Sequence, residues 1–517
     1  MASVIGRVQA GLRRLPWNRF FAGIAAGAAA LLVTLIMRLL GLGVFLPEAA
    51  LDFVITRIPG PIETLFIGTL GEGAKGLGFV STLVAVELAF GLGALAFHRI
   101  EALVHHRAAV IGVYTVGSAA LVLLVVLPVL GAGIAGSQTE AGAPFAVLSQ
   151  LIGGWIYAAF LDYFFVDLAS RHPDGFNPSR RQFLMGAAAG LGVLAFAYIA
   201  FSEAVVRPAR LAFGSFADLL AKEVTPTSEF YVVTKNLIDP VVDASTWNLT
   251  VDGLVATPLT LDYASLQSKI DSGTLPSAEE HATMECVSNE VGGNLIGTAK
   301  WTGVRLGDLL QLAGIESAAD WVEFSCADGY TVAIPVAQAT DPATLFVLRM
   351  NDEKLEGRHG GPARIVVPGK YGMFSAKWVN RVTAIQGEYL GFWQQKGWTN
   401  DGRIRTEALI ASPPDGSVVA GSGTIGGFAI SAADGISRVE VSTDGGSSWS
   451  AAQLLSPIDP KLTWVLWKFP WTPPSGGAYR ILARAYDGNG VVQSGAVAPP
   501  FPDGASGYDS VTLLVSR

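Results

Sequence analysis

The sequence predicts a multi-domain protein with an N-terminal α-helical membrane block of about five spans, a central α+β domain and a C-terminal all-β sandwich of the immunoglobulin type. Its 517 residues are 50% hydrophobic and 15% charged, and the mean hydropathy is +0.43. This composition is too apolar for a soluble protein. The apolar excess lies before the central domain, and the last part of the chain alternates apolar and polar residues. The predicted boundaries are 1–204 for the membrane block, 205–228 for a connector, 229–410 for the α+β domain and 411–517 for the sandwich.

Five apolar stretches make up the predicted membrane block. The first two lie at about 20–44 and 76–97. The third and fourth lie on either side of Glu140, which is the only charged residue from 108 to 161. The fifth, 182–202, contains no charged residue. Since about 20 apolar residues cross a bilayer, we interpret each stretch as a membrane helix.

Basic residues indicate how these spans are oriented. Most of them precede the first span or lie between the second and third or between the fourth and fifth, and these fall on one side. The positive-inside rule makes that side the cytoplasm, and five crossings then place the C-terminal part on the far side. The residues concerned are Arg7, Arg13, Arg14, Arg19, His98, Arg99, His105, His106, Arg107, Arg171, Arg180 and Arg181.

A twin-arginine pair, Arg180-Arg181, lies just before the fifth stretch, within residues 179–186. This segment resembles the twin-arginine (Tat) signal, which exports proteins after they have folded, commonly with a cofactor already bound. The other interpretation is an ordinary basic flank of the last membrane helix. The Tat interpretation predicts a multi-pass protein of the bacterial cytoplasmic (inner) membrane, with its N-terminus in the cytoplasm and its C-terminal domains in the periplasm.

Three ionisable residues, Arg38, Glu87 and Asp162, fall in or near the apolar stretches. Such groups are costly at membrane depth, which makes them candidates for a quinone pocket or a proton path. The structural alternative is that Arg38 and Asp162 extend to the interface from helix ends and that Glu87 pairs with a neighbour. We expect no haem within these helices, because none of the six histidines lies mid-span.

The composition changes after about Arg207, and the following segments predict mixed strands and helices. Leu211–Glu223 is predicted to be an amphipathic connector that ends at Pro226. The apolar spacing of Thr302–Gly314 predicts a helix. The predicted strands are Glu229–Thr234, Trp247–Val251, Trp321–Cys326, Thr331–Pro335 and Arg364–Val367.

After the turn-forming residues 412–416, strands alternate with turns for about a hundred residues. This pattern predicts an immunoglobulin-like sandwich. The predicted strands are Phe428–Ala432, Ile436–Thr443, Leu462–Phe469 and Tyr479–Tyr486.

The chain has two cysteines, Cys286 and Cys326, both in the α+β domain. Outside the cytoplasm the pair can form a disulfide, or one of them can bind a metal. Spacing alone favours two buried, unreactive thiols, since unbridged cysteine is among the most buried residue types.

Four segments of the C-terminal part carry distinctive residues, and they are 225–236, 281–289 (His-Ala-Thr-Met-Glu-Cys-Val-Ser-Asn), 357–378 and 439–449. In this order they resemble the motifs of the sulfite oxidase family of molybdopterin-dependent oxidoreductases, over about residues 224 to 500. In that family a strand delivers one cysteine to molybdenum and an asparagine follows three residues later. The third segment resembles the part that holds the pterin and its phosphate, and the fourth resembles the C-terminal dimerisation domain.

The resemblance implies that Cys286 is the catalytic thiolate that ligates molybdenum. Thiolates are soft ligands that suit such a metal. A pterin phosphate calls for cations and backbone N–H groups, which Arg364 and Lys377 supply beside a glycine-containing loop; in isolation, both could equally lie on a solvated surface. Cys326 follows a predicted strand and is expected near the same pocket. The implied pterin ligands are Asn236, His359, Arg364, Ser375 and Lys377.

One departure from the family pattern concerns the substrate. Sulfite-oxidising members place arginines directly after the motif asparagine, where they help to bind the anion. Here Glu290-Val291-Gly292-Gly293 follow Asn289, and a carboxylate repels sulfite. Relatives that reduce sulfoxides also lack the arginines, so the family does not decide the substrate or the direction of the reaction.

We therefore hypothesise a membrane-anchored molybdopterin enzyme that transfers an oxo group to or from a small molecule such as a sulfoxide, an N-oxide or sulfite. The rival hypothesis is a non-catalytic envelope protein that keeps the fold as a binding module. The expected contacts are membrane lipid and either a quinone or a separate membrane subunit as electron partner. Nucleic-acid binding is not indicated at a net charge of -8.

A homodimer through the sandwich is the remaining expectation, because two-fold dimers dominate homo-oligomers. Trp464, Trp467 and Trp471 lie on its predicted strands, and aromatic residues are enriched at interfaces. The alternative is that these tryptophans fill the core of the sandwich or pack on the neighbouring domain.

Overall fold

The computed structural model describes residues 17–58, 73–104, 106–137, 139, 141–164, 210–236, 239–432 and 434–516. These residues belong to two compact units, one helical and one rich in β-strands. The twin-arginine segment and the fifth apolar stretch lie outside the described residues.

The helical unit is built from long apolar helices. Four segments are long and apolar enough to cross a membrane, and they are Arg19–Leu39, Gly76–Phe97, Arg107–Val129 and Gly142–Asp162. They coincide with the first four predicted spans, so a count of five stays a prediction. The helices are α1 (Trp17–Leu39), α2 (Leu46–Arg57), α3 (Gly73–Leu103), α4 (Arg107–Leu121, continued by the π-helical Val122–Val126 and by Leu127–Val129) and α5 (Gly142–Asp162).

The ionisable residues of this unit differ in their contacts. Arg38 forms a two-pronged ion pair with Glu48, at 2.8 and 3.1 Å, and Asp162 pairs with Arg107 at 2.6 Å. Both lie near helix ends, as the structural alternative expected. Glu87 is buried in α3, and neither of its carboxylate oxygens has a hydrogen-bond partner among the described residues. The described part of the chain therefore offers no hydrogen-bond partner for Glu87, in contrast to the structural alternative.

The strands before residue 400 form two sheets. One has the order β2-β1-β10-β5-β6, and the other has the order β3-β4-β7-β8 with β9 paired to β7. The strands are β1 (Asn248–Gly253), β2 (Leu259–Asp262), β3 (Ser277–Glu285), β4 (Ile296–Arg305), β5 (Trp321–Cys326), β6 (Thr331–Pro335), β7 (Leu345–Met350), β8 (Glu353–Lys354), β9 (Arg364–Val366) and β10 (Val379–Ile385). The helices of this unit are α6 (Phe216–Leu220), α7 (Tyr263–Asp271), α8 (Leu306–Ala313) and α9 (Val336–Ala339).

In this α+β region one predicted strand was wrong, and one predicted helix begins later than predicted. Glu229–Thr234 is not a strand: a 3₁₀ turn at Thr227–Glu229 follows Pro226, and the extended backbone after it pairs with no strand in the described part of the chain. The predicted helix Thr302–Gly314 begins only at Leu306, because residues 302–305 continue β4 and pair with β7, with a register shift between Thr302 and Gly303. In both places the presence or absence of a pairing strand decides the structure over local propensity.

The C-terminal region is a sandwich of two sheets, β11-β13-β17-β16 and β12-β19-β18-β14-β15. Side chains from both sheets share one buried apolar cluster, and the immunoglobulin-like topology stays a prediction. The strands are β11 (Glu407–Ser412), β12 (Val418–Val419), β13 (Gly423–Ile430), β14 (Ile436–Ser442), β15 (Ser450–Ala451), β16 (Gln453–Leu454), β17 (Val465–Trp471), β18 (Gly477–Asp487) and β19 (Asp509–Val515).

The three tryptophans of the sandwich are buried within the chain. Trp467 and Trp471 belong to the sandwich core. Trp464 packs in a second cluster, and its indole N–H donates to the Glu223 carbonyl at 2.9 Å. Their burial supports the alternative that they fill the core and contact the neighbouring region, and none of the three is exposed to a subunit partner.

Candidate active site

Cys286 lies directly after β3, at the start of the loop that leads to β4. This loop is closed at its ends, because the Cys286 N–H donates to the Leu295 carbonyl at 2.9 Å. The side chain of Asn289 bridges the loop from inside. Its Oδ1 accepts from the Leu295 N–H at 3.0 Å, and its Nδ2 donates to the Glu285 carboxyl group at 3.1 Å. The Cys286 sulfur is 3.0 Å from the Ser288 hydroxyl. The motif asparagine thus fixes the loop that presents the thiol.

Arg364 is a buried guanidinium on β9 with no carboxylate partner among the described residues. It donates to the carbonyls of His359 at 2.9 Å and Ser375 at 3.0 Å, and Nη2 lies 3.4 Å from the Met284 sulfur, two residues before Cys286. Its Nε is buried and without a partner, and burial lowers its pKa to about 10. A buried cation without a counter-ion is costly, so this site is suited to an anionic ligand.

His359 and Ser375 hold the backbone around that guanidinium. The His359 ring contacts the Thr227 carbonyl at 3.0 Å through Nε2, and burial lowers the pKa of His359 to about 4, so the ring is neutral at pH 7. The Ser375 hydroxyl accepts from the Val367 N–H at 3.1 Å. Trp378 has φ 54°, a strained conformation for a bulky residue, and its indole N–H holds the Gly357 carbonyl at 2.7 Å.

A second group of polar side chains surrounds Cys326, at the end of β5. Asp328 accepts from the Asn236 amide at 3.0 Å and forms an ion pair with Lys235 at 3.6 Å. Burial raises the pKa of the Cys326 thiol well above its usual range; the charge of Asp328 adds to this rise, and Lys235 and Lys377 oppose it. Cys326 is therefore a neutral, buried thiol, and no disulfide joins it to Cys286.

Two tyrosines that the sequence did not single out link these groups. The Tyr231 hydroxyl is buried without a hydrogen-bond partner among the described residues, and it interacts electrostatically with Cys286 and Arg364. The Tyr330 hydroxyl donates to the Met373 carbonyl at 2.6 Å and interacts with both Cys326 and Cys286. The turn Asp328-Gly329-Tyr330 directly after a strand is the one sequence signal that could have found Tyr330.

Carboxyl groups lie on and beside the loop that carries Cys286. Burial raises the pKa of Glu285, and burial, followed by the charges of Glu285 and Asp509, raises that of Glu407. Glu285 and Glu407 are neighbouring buried carboxyl groups, and such a pair cannot easily ionise together. Burial also raises the pKa of Glu290, the residue that follows Asn289. The loop after Cys286 thus offers acidic and neutral groups, and no arginine or lysine.

All seven residues predicted for the site fall in this one region. Arg364, His359 and Ser375 are in direct contact, and Met284 joins them to the strand that carries Cys286. Asn236 and Cys326 belong to the second group with Asp328, and Lys377 contributes to the electrostatics at both His359 and Cys326. A thiol and an unneutralised buried guanidinium therefore lie close together, and these are the groups that a phosphorylated, sulfur-ligated metal cofactor requires.

Comparisons with known proteins give matches over the part of the chain that carries these groups. Residues 236–393 match the family model of the oxidoreductase molybdopterin binding domain, and residues 401–498 match that of the Mo-co oxidoreductase dimerisation domain. The sulfite oxidase of Gallus gallus is 30% identical over 332 residues, which cover 55% of this chain and 71% of that protein. The sulfite oxidase of Arabidopsis thaliana is 30% identical over 334 residues, covering 53% and 83%. Among solved structures, sulfane dehydrogenase SoxCD from Paracoccus pantotrophus aligns at TM-score 0.49 and 23% identity, over 57% of this chain and 84% of that chain.

Proposed function

Because the chain belongs to the sulfite oxidase family and is a molybdopterin-dependent oxidoreductase, we propose that Cys286 ligates its molybdenum and that Arg364 binds the phosphate of its pterin. The observation that carries this assignment is the buried Arg364 guanidinium, which has a free Nε and no carboxylate partner among the described residues. When bound, the cofactor supplies the two-electron oxo-transfer chemistry. The alternative of a non-catalytic binding protein finds no support in this family membership.

The remaining residues orient and shield the cofactor. Ser375 and Lys377 would hold the phosphate together with Arg364, and Asn236 would contact the pterin from the second group. His359, neutral at pH 7, would offer a hydrogen bond without adding charge beside Arg364. Tyr231 and Tyr330 would donate or accept hydrogen bonds where the substrate approaches Cys286.

Metal and pterin analysis tests this assignment directly. Full-length protein made in a host that synthesises molybdopterin should contain molybdenum, and denaturation should release the fluorescent oxidation product of the pterin. Wild-type protein without either signal would contradict the proposal.

For the substrate we propose a small neutral oxo donor, such as a sulfoxide or an N-oxide, in preference to sulfite. The support is the loop after Cys286, where Glu290 stands in place of the arginines of sulfite-oxidising relatives. A carboxylate raises the energy of a nearby anion, whereas a neutral S=O or N–O group needs only hydrogen-bond donors. The Tyr231 hydroxyl is such a donor, and it has no hydrogen-bond partner among the described residues.

Substitution of Glu290 by arginine should shift the preference towards sulfite. Removing one negative charge and adding a positive one should raise kcat/KM for sulfite by about tenfold or more, the effect of ~1.4 kcal/mol, while turnover of a neutral sulfoxide changes little. Steady-state kinetics with both substrates measures the ratio. Asp271→Arg, at the exposed end of α7, is the control for the change in net charge. An unchanged ratio in Glu290→Arg would show that this loop does not face the substrate.

We further propose that the helical unit anchors the enzyme in the bacterial inner membrane, with the catalytic unit in the periplasm. Four helices of sufficient length and apolarity support the anchor, and the basic flanks support the orientation. One helix would suffice as a tether, so the others call for another role. We assign them to electron delivery, either by a membrane quinone near Glu87 or Asp162 or by docking of a separate membrane subunit.

Glu87 is the better candidate for contact with a quinone, since Asp162 is already paired. Glu87→Gln should lower turnover driven by quinol by at least about tenfold, because the proton-exchanging group is lost, and should leave turnover driven by a soluble artificial donor unchanged. The assay compares both donors in one detergent preparation. Glu48→Gln, which alters a carboxylate already paired with Arg38, is the matched control. Equal quinol-driven rates for wild type and Glu87→Gln would favour a separate subunit.

The match to a dimerisation domain supports a homodimer, which we propose without assigning its surface. The three tryptophans are excluded from that surface by their burial.

A further inference from the structure

The β-sandwich contacts the Cys286 loop at three separate places, although residues of the two regions are far apart in the sequence. The contacts reach the edge of β3, the residue that follows Cys286, and the glycines at the far end of the loop. Each one holds backbone or buried side chains, so together they restrict where the thiol can lie.

The first contact runs along the free edge of β3. The Thr283 N–H donates to the Leu462 carbonyl at 2.9 Å, and the Trp464 N–H donates to the Thr283 hydroxyl at 2.8 Å. Since β3 is the last strand of its sheet, these bonds replace a neighbouring strand. They fix the strand three residues before the thiol.

The second contact is apolar. Val287, directly after Cys286, is buried in a cluster with Leu409 and Ala411 of β11 and Phe428 and Trp464 of the sandwich. A buried valine cannot move outward without exposing apolar surface. The thiol is thus held from both sides along the chain.

The third contact is ionic. Asp509, the first residue of β19, is 1% exposed and accepts both from Arg210, at 2.5 and 2.6 Å, and from the Ile410 N–H at 2.7 Å. This pair covers Gly292, which has φ +80°: a Cβ there would lie 2.6 Å from Arg210 Nη1 and 2.8 Å from Asp509 Oδ1. Only glycine fits beneath the pair.

We propose that the Arg210–Asp509 pair positions the Cys286 loop, so that the sandwich of this chain fixes the position of the metal ligand. Asp509 is the positioning residue, and it acts through Arg210 and the backbone of Gly292 and Gly293, where Arg210 forms a β-bridge. The inference rests on the assignment of Cys286 as the molybdenum ligand. Groups that orient a metal ligand typically change metal affinity or activity by about 10- to 100-fold when they are lost.

The test is Asp509→Asn in the full-length holoenzyme, with Ile481→Val as control. Asparagine keeps the shape and an acceptor for the Ile410 N–H but loses the charge that orients Arg210. Ile481 lies in the sandwich core and in none of the three contacts. We expect faster amide hydrogen exchange confined to residues 286–295, loss of molybdenum on dialysis about 10- to 100-fold faster, and a lower kcat with KM within twofold. The control should change none of these.

Gly292→Ala offers an independent variant, since its Cβ displaces the pair without altering a charge. It should reproduce the exchange pattern of Asp509→Asn. Unchanged exchange of residues 286–295 in both variants would overturn the proposal. Hydrogen exchange can be compared in metal-free wild type and metal-free variants, so protein that never contains molybdenum but shows the exchange change would contradict the metal assignment alone.

Discussion

Cys286→Ser should lower oxo-transfer activity by on the order of 10³-fold, the scale expected when a group that acts in the reaction is removed. The serine hydroxyl is a hard, weakly acidic donor and does not replace a thiolate on a soft-ligated metal. The pterin should stay bound, because we assign its retention to Arg364 and the second group rather than to the thiol. Activity and pterin content are measured on the same preparation.

Cys326→Ser is the matched control, because it changes the other buried thiol. Burial raises the pKa of Cys326 well above its usual range, so this group is a thiol rather than a thiolate, and its variant should keep most of the activity. X-ray absorption at the molybdenum edge gives a direct readout: the metal should have one sulfur neighbour fewer in Cys286→Ser and the same number in Cys326→Ser. The reverse pattern would exchange the roles of the two cysteines.

Sequence patterns predicted those strands whose alternation is set by one buried face. β5 (Trp321–Cys326) and β6 (Thr331–Pro335) begin and end where they were predicted, because they pair with each other as an antiparallel hairpin and β5 alternates buried and half-buried residues. Residues 229–234 carry the same β-propensity but find no partner strand among the described residues, and propensity alone does not make a sheet. Pairing across the sheet is information that a local pattern does not contain.

The candidate site likewise combines residues that continuous motifs predict with residues that only tertiary packing brings together. Cys286 and Arg364 were predicted from the order of the motifs, since each motif is continuous in the sequence. Tyr231, Tyr330 and Asp328 were missed because they reach the site through tertiary packing. The role of the sandwich was likewise out of reach, because Asp509 meets Gly292 only after the whole C-terminal region has folded. The burial of the three tryptophans was also open, because strand alternation does not say which face of a sheet a second domain covers.

Arg364→Met should weaken retention of the cofactor by about 10- to 100-fold, because a hydrogen bond to a charged group contributes about 1.5–3 kcal/mol. The same substitution should not destabilise the cofactor-free protein. In that state the wild-type guanidinium is buried without a counter-ion, and its desolvation opposes folding. Methionine also fills the apolar space beside Trp301, over whose ring Arg364 now lies at 5.0 Å.

Thermal unfolding of the full-length protein, with and without cofactor, separates these effects. Wild type should gain stability on loading, as expected for a ligand that binds only the native state, and Arg364→Met should gain much less from the same cofactor concentration. Arg381→Met is the control, since Arg381 is an exposed arginine of the same domain that pairs with Asp252 at 2.6 Å; its gain should equal that of wild type. If Arg364→Met loads and gains stability like wild type, the phosphate lies elsewhere, and the buried guanidinium serves the apolar core around Trp301 instead.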